Sequence, residues 1–200
     1  VSDGYVNTRV AKFDKNGKVF ASGEPQLGAL VKGVKVYDPR LDSTRAGGSG
    51  SHRVDDESTW AWSENPALHA ATYAYGRHQN GQRVFGIGLP DEAIDWANVA
   101  AWANVCDAND WRLYGVIYEP GDRWANLRDI CAAGAAQPVP TAAGLHFLYS
   151  APRVALDTVT EADLLQGEEQ GVVAQASWRD RLNTIVPRFR DPASNWELAQ

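Results

Sequence analysis

Four carboxylates crowd two tryptophans in one stretch of this chain: Asp55, Asp56, Glu57 and Glu64 surround Trp60 and Trp62. Two carboxyl groups beside an aromatic platform can cleave a glycosidic bond, one as general acid and the other as nucleophile or base. Asp55 and Glu64 are the pair that would do so here. The same residues also have an architectural use. Carboxylates where a loop enters a helix favour the helix N-terminus and solvate the surface, and tryptophans anchor loops onto a core. Nearness in sequence does not set the separation of two carboxyl groups, on which hydrolysis depends. The architectural reading therefore carries more weight, and no catalytic residue is expected.

Other reactive constellations are missing from the sequence. It contains no Gly-x-Ser-x-Gly elbow, no phosphate-binding Walker loop and no His-Glu-x-x-His. Gly86-Ile87-Gly88 lacks the rest of a dinucleotide fingerprint and reads as a tight turn. Cys106 and Cys131 fall on apolar helical stripes, which favours buried free thiols over a disulfide or redox pair. His52, His69, His78 and His146 are scattered without zinc spacing, and His69 reads as a packed or surface residue. Neither a metal nor a cofactor is expected.

Of the eight tryptophans, Trp60, Trp62, Trp96 and Trp178 are the candidates for an interface, with sugar or with another subunit. Trp102 and Trp124 lie on stripes expected to face inward. A net charge of −6 and the lack of any Lys/Arg run argue against nucleic acid as a partner. No apolar run reaches the roughly 18 to 20 residues that span a bilayer, and Val1 to Tyr5 does not read as a signal peptide. No membrane insertion by this segment is expected. The lack of any methionine, position 1 included, suggests a piece of a longer polypeptide.

The elements that must position these residues read as α+β: antiparallel sheet or β-barrel-like elements with an inserted cluster of about three helices. Residues 1–40 form an N-terminal β region, with strands from Tyr5 to Phe13 and Lys18 to Ala21 around Asn16-Gly17, then a strand from Ala29 to Tyr37. Residues 41–64 form an extended loop arm, rich in Gly, Ser, Asp and Arg from Leu41 to Ser58.

Residues 65–136 hold the helices and one strand. Asn65 caps the first helix, Pro66 opens it, Leu68, Ala71, Thr72 and Tyr75 share a face, and Gly76 ends it. The second helix begins between Asp91 and Asp95, carries Val99, Trp102, Ala103 and Cys106 inward, and ends at Asn109. Asp122 opens the third, which turns Trp124, Leu127 and Cys131 inward and closes on a left-handed Gly134. A strand is expected from Arg112 to Tyr118. Residues 137–200 form a C-terminal β region completing the fold. It contains a hairpin from Gln137 to Tyr149 turning at Ala142 to Gly144, an acidic stretch with a helical turn at Thr160 to Asp163, and a strand from Leu182 to Arg190.

A family resemblance runs through several of these blocks. It is carried by Tyr37-Asp38-Pro39-Arg40-Leu41-Asp42-Ser43-Thr44, Gly50-Ser51-His52-Arg53 and the run from Ser58 to Ala67. It continues in Ala101 to Asp107, Gly144 to Phe147, Ala151-Pro152-Arg153, Trp178 to Val186, Asp191-Pro192 and Trp196-Glu197. In this order they resemble the central region of bacteriophage tail-tip proteins, the tail-tip attachment proteins of lambda-like siphophages and related tail hubs. The resemblance covers most of positions 37 to 200. It departs from the family at Trp111 to Tyr118, where lambda-like relatives carry a longer loop.

The resemblance implies a structural hub segment of β domains with a helical insertion and no catalytic residues. Its partners would be copies of itself and other tail proteins, trimeric around the tail axis in the intact virion; the segment without its flanks can be monomeric. The place implied is the virion tail, or the bacterial cytoplasm where a prophage encodes it. The arm from Leu41 to Trp62 is the first choice for a ring-closing surface. The competing readings are a wall- or polysaccharide-degrading tail domain and a carbohydrate-binding module.

Overall fold

The computed structural model describes residues 31–117 and 121–152, together with 158, 160, 163, 184, 186, 188–194 and 197–199. The chain divides into two compact units, Val1–Pro152 and Arg153–Gln200. The Gln137–Tyr149 hairpin lies in the first of these units. Among the described residues the strands pair only in antiparallel twos and close no barrel, which is an α+β fold.

Among the described residues three helices organise the first unit: α1 (Pro66–Tyr75), α2 (Trp96–Ala108) and α3 (Arg123–Ala133). α1 starts and stops where capping chemistry demands. The Asn65 side chain accepts the Ala67 N–H at 3.0 Å, Pro66 occupies the first position without wasting a donor, and the Gly76 N–H closes on the Thr72 carbonyl. Its burial differs from the one-sided stripe expected. From Pro66 to Ala74 every residue but His69 is buried, because α1 packs against both α2 and α3. A run of alanines on a helix surrounded by neighbours lets backbones approach closely. Leu68 of α1, Val99, Trp102, Ala103 and Cys106 of α2, and Leu127, Ile130 and Cys131 of α3 fill the space between them.

Gly134 closes α3 for a different reason from the one expected. Its backbone is right-handed, and the left-handed residue is Ala135, with φ of 49°. What requires glycine at 134 is proximity: a Cβ there would lie 2.7 Å from the Trp102 ring and 3.0 Å from Pro66 Cβ. The Trp102 indole N–H donates to the Gly134 carbonyl at 2.8 Å, and its ring stacks on Phe147 at 5.1 Å.

Phe147 belongs to the hairpin β5 (Ala136–Thr141) and β6 (Gly144–Tyr149), which lies where the sequence indicates, with Leu145 and Phe147 facing the core. β6 is tied to the start of α2. The Asp95 N–H donates to the Leu145 carbonyl, the Phe147 N–H donates to Asn98 Oδ1 at 2.8 Å, and His146 Nδ1 lies 2.9 Å from Asp95 Oδ2.

A second hairpin goes unannounced in the sequence reading. β3 (Arg77–Gln79) and β4 (Gln82–Phe85) turn through Asn80 and Gly81, with φ of 52° and 75°. Asn-Gly is the dipeptide that accepts two positive φ angles in a two-residue turn.

Of the expected strand from Ala29 to Tyr37, residues 29 and 30 lie outside the described part. The ladder itself is only β1 (Lys35–Val36), paired with β2 (Ala61–Trp62). Of the strand expected from Arg112 to Tyr118, residues 112–117 have no ladder partner among the described residues, and Tyr118 lies outside them. Residues 111–117 run back along the helices, held by Trp111 N–H to the Cys106 carbonyl and Leu113 N–H to the Glu64 carbonyl. Trp124, expected inward, is 40 % exposed, because in the first turn of α3 its ring stands over an open concavity instead of the core.

In the second unit, β7 (Phe189–Asp191) pairs with β8 (Glu197–Ala199). Thr184, Val186 and Arg188, part of the expected 182–190 strand, are not in a ladder. Thr160 and Asp163 make the reciprocal bonds of a helical turn: the Asp163 carboxylate accepts from the Thr160 N–H and hydroxyl, and the Asp163 N–H donates back to the Thr160 carbonyl. The expected hairpin at residues 5–21 lies outside the described residues.

The crowding at 134 and the strain at 135 give opposite expectations. Gly134→Ala pushes into Trp102 and Pro66 and should lower stability by about 1–3 kcal/mol. Ala135→Gly relieves a left-handed alanine and should raise it by up to about 1 kcal/mol. Urea denaturation midpoints check both.

Candidate functional site

The polar residues of the unit concentrate in the loop between β1 and α1, and the loop is organised around one carboxylate. Asp42 is 1 % exposed. Its oxygens accept from the Tyr37 hydroxyl at 2.7 Å, the Thr44 N–H at 2.8 Å, the Thr44 hydroxyl at 2.6 Å and the Arg53 guanidinium at 2.9 Å. Asp42-Ser43-Thr44 builds this locally, since a short acidic side chain reaches the N–H two residues on. Arg53 arrives from across the loop, brought there by antiparallel bridging between Asp42 and Ser51.

Two relays tie the loop to its surroundings, and the first of them starts at this centre. In the first, the Tyr37 hydroxyl also accepts Arg45 Nε at 3.1 Å, and Arg45 forms an ion pair with Asp91 in the turn before α2. The Arg45 guanidinium lies 5.3 Å from the centroid of Trp96, whose indole N–H donates to Asp91 Oδ1 at 2.8 Å. In the second, Asp38 caps the 3-10 turn Pro39–Leu41 through the Arg40 N–H and binds the Arg40 guanidinium. Arg40 continues to Asn104 and Asp107, both at 2.8 Å, near the end of α2. Asp107 in turn accepts the side-chain N–H of Asn65, the α1 cap. The loop is thereby buttoned to both ends of α2, and within the loop His52 accepts the Asp38 N–H at Nδ1.

These partners set the ionisation. Burial acts to raise the Asp42 pKa, but hydrogen bonds from Thr44 and Tyr37 and the charge of Arg53 outweigh it and hold the carboxyl below its ordinary 3.8. Asp107 is likewise lowered, burial being overcome by Arg40 and Asn65. Burial and the bond to Asp42 push the Tyr37 phenol up. Burial also raises Cys106 to about 11 and Cys131 to about 12, so both thiols are protonated and inert near neutrality. Burial lowers His69, whose Nε2 lies 2.8 Å from the Ser63 carbonyl, which makes it a packed histidine.

Against this frame the sequence candidates separate. Trp60 is 2 % exposed and floors the loop, its indole N–H donating to the Arg53 carbonyl and its face covered by Arg77. Trp96 is buried as well. Trp62 remains on the surface at 40 % exposure, with Lys32 4.7 Å from its ring centroid. Trp178 lies outside the described residues. Asp55 is exposed, whereas Glu64 lies 3.7 Å from Arg112 and accepts from the Tyr114 hydroxyl. Asp56 and Glu57 are engaged locally, by Ser58 and by Arg77 with the His78 N–H.

Neither of two concavities among the described residues is lined by Asp55 or Glu64. A mostly apolar one of about 220 Å³ lies among Val34, Glu57, Arg77 and Phe85. A polar one of about 470 Å³ lies between α3 and β5. Among the described residues no cluster of three metal-ligating side chains occurs, and no helix is long and apolar enough to cross a membrane.

The segment expected as an extended arm is thus a closed, internally bonded loop. The Asp42 centre was not singled out from sequence. Its signals were Asp38 ahead of Pro39, which marks a turn cap, and Asp42 two residues before Thr44.

Removing the central acceptor should be costly. Asp42→Ala leaves Tyr37 and Arg53 without their partner and should lower stability by about 3 kcal/mol, the lower end for a broken buried pair because Arg53 is 37 % exposed. Acid should act through the same group. Its folded pKa lies below its unfolded value, so its stabilisation is complete above about pH 4 and is lost as pH falls through the folded value. Denaturation midpoints between pH 7 and pH 2.5 should therefore fall more steeply for the wild type than for Asp42→Asn. Compared with models of known protein families, with curated proteins and with solved structures, the chain has no match.

Proposed function

We propose that this chain is a structural segment of a phage or prophage tail tip, acting by shape and by contact with copies of itself and other tail proteins, without catalysis. One observation carries the reading. Two of the blocks that carry the tail-tip resemblance, Tyr37 to Thr44 and Gly50 to Arg53, hold residues whose polar groups, those of Tyr37, Asp38, Arg40, Asp42 and Arg53, are engaged in closing the loop and fastening it to α2. A motif spent on closing a loop serves architecture, because its donors and acceptors are already paired and hold no substrate.

The electrostatics agree with that use. Asp55 and Glu64, the pair that hydrolysis would need, sit in different settings, one exposed to solvent and the other engaged by Arg112 and Tyr114. Leu41 and Trp62 each stay exposed and supply apolar contact area for a neighbouring subunit. In a ring of identical copies such a patch meets a different patch on the next copy.

Immunogold labelling tests the proposal, with antibody raised against this chain and virions induced from cells that carry its sequence. Gold is expected at the distal end of the tail. Virions whose tails stay unlabelled while the chain is detected in the cell would overturn it.

A further inference from the structure

None of the residues that line the concavity between α3 and β5 belongs to the loop fastening or to the blocks quoted for the tail-tip resemblance. At about 470 Å³ it falls within the range of about 300–1,000 Å³ usual for small-molecule sites. Its walls combine three features.

The first is Trp124, an indole kept at the surface in the first turn of α3. A rigid aromatic face costs little conformational entropy to use and is common at binding surfaces. The second is a set of planar polar groups beside it: Arg128 one turn further along α3, Asp129 next to it, and Gln137 on β5, all exposed. Together they offer donors and acceptors with opposite charges side by side, which suits a hydroxylated ligand better than a simple anion.

The third feature lies in the backbone of β5. The Ser150 N–H donates to the Ala135 carbonyl, and the Phe147 N–H and Leu145 carbonyl point away from β5 to Asn98 and Asp95. This fixes the alternation, so Ala136, Pro138 and Pro140 turn their backbone groups away from β6. Two of the three are prolines and have no N–H to give. Among the described residues no strand pairs with this edge, which is therefore an array of carbonyl acceptors with one N–H, at Ala136. An added strand needs both donors and acceptors along such an edge and is barred here. A ligand rich in hydroxyl donors is not.

The geometry points to a saccharide-binding site, in which a sugar ring lies on the Trp124 indole. Its hydroxyls donate to Asp129 and the β5-edge carbonyls of Ala136 and Pro138, and accept from Arg128 and the Gln137 amide. A nucleobase would also stack on the indole, but the chain's net charge of −6 works against the attached phosphate. The site does not depend on the tail-tip reading.

The test uses the full 200-residue chain on an array of hexose-, N-acetylhexosamine- and uronic-acid-containing oligosaccharides, followed by saturation-transfer NMR and titration with the best-bound oligosaccharide. Trp124→Ala and Asp129→Asn should each weaken binding about tenfold or more, the equivalent of one tenfold step in affinity. Trp124→Phe, which keeps an aromatic face, should fall between Trp124→Ala and the wild type. Leu148→Ala, exposed on β6 of the same hairpin, should bind as the wild type does. Circular dichroism and denaturation midpoints verify that each variant folds, and the exposure of Trp124 makes its loss tolerable to the core. Absence of binding to any oligosaccharide at millimolar concentration, or binding unchanged in Trp124→Ala, would overturn the assignment.

Discussion

Burying the Asp42 carboxylate obliges the chain around it to supply donors, and that demand gives the loop before α1 its form. A charged group withdrawn from water is tolerated only when its lone pairs are taken up. Here they are taken up by residues spread from Tyr37 to Arg53, so the carboxylate and the loop's closure are a single event. Because the Tyr37 hydroxyl passes the connection on to Arg45 and so to Asp91, the position of α2 depends on the same centre. Asp107 follows a related logic. An acidic residue in the last turn of a helix opposes the helix dipole, and it is accommodated because Arg40 lies beside it and Arg112 within 3.7 Å.

The helices and the C-terminal hairpin of this unit depend less on charge. Alanines along α1 let the other two helices close on a helix buried on nearly all sides, and Trp102 locks that cluster to the hairpin by stacking on Phe147 and bonding to Gly134. The edges of the hairpin are managed differently on its two sides. β6 hands its outward groups to the start of α2, and β5 ends the sheet with prolines.

What could be read from the residues follows from where the governing interactions are local. The α1 boundaries were legible because Asn65, Pro66 and Gly76 act within one turn, and the β5–β6 hairpin because Leu145 and Phe147 alternate across a short turn. The stretch from Arg112 to Ile117 misled because aromatic and β-branched residues suit a strand only where a partner strand exists, and here the Trp111 and Leu113 N–H groups bond instead to carbonyls at the end of α2 and just ahead of α1. Trp124 has the spacing of the inward stripe, but spacing does not reveal that the core ends before the first turn of α3. Trp60 and Trp96 could not be told from surface tryptophans, because their burial depends on Arg53, Asp91 and Arg45 arriving from other segments. The Asn80-Gly81 turn, by contrast, was fully local and could have been found by the rule applied to Asn16-Gly17.

Cys106 and Cys131 have a practical consequence. Both thiols sit inside the helical cluster and hold their protons well above neutrality, so maleimide and similar reagents will find no thiolate on the native protein. A third cysteine placed on an exposed position would then be the sole point of attachment for a dye or spin label. The native thiols would need no replacement beforehand.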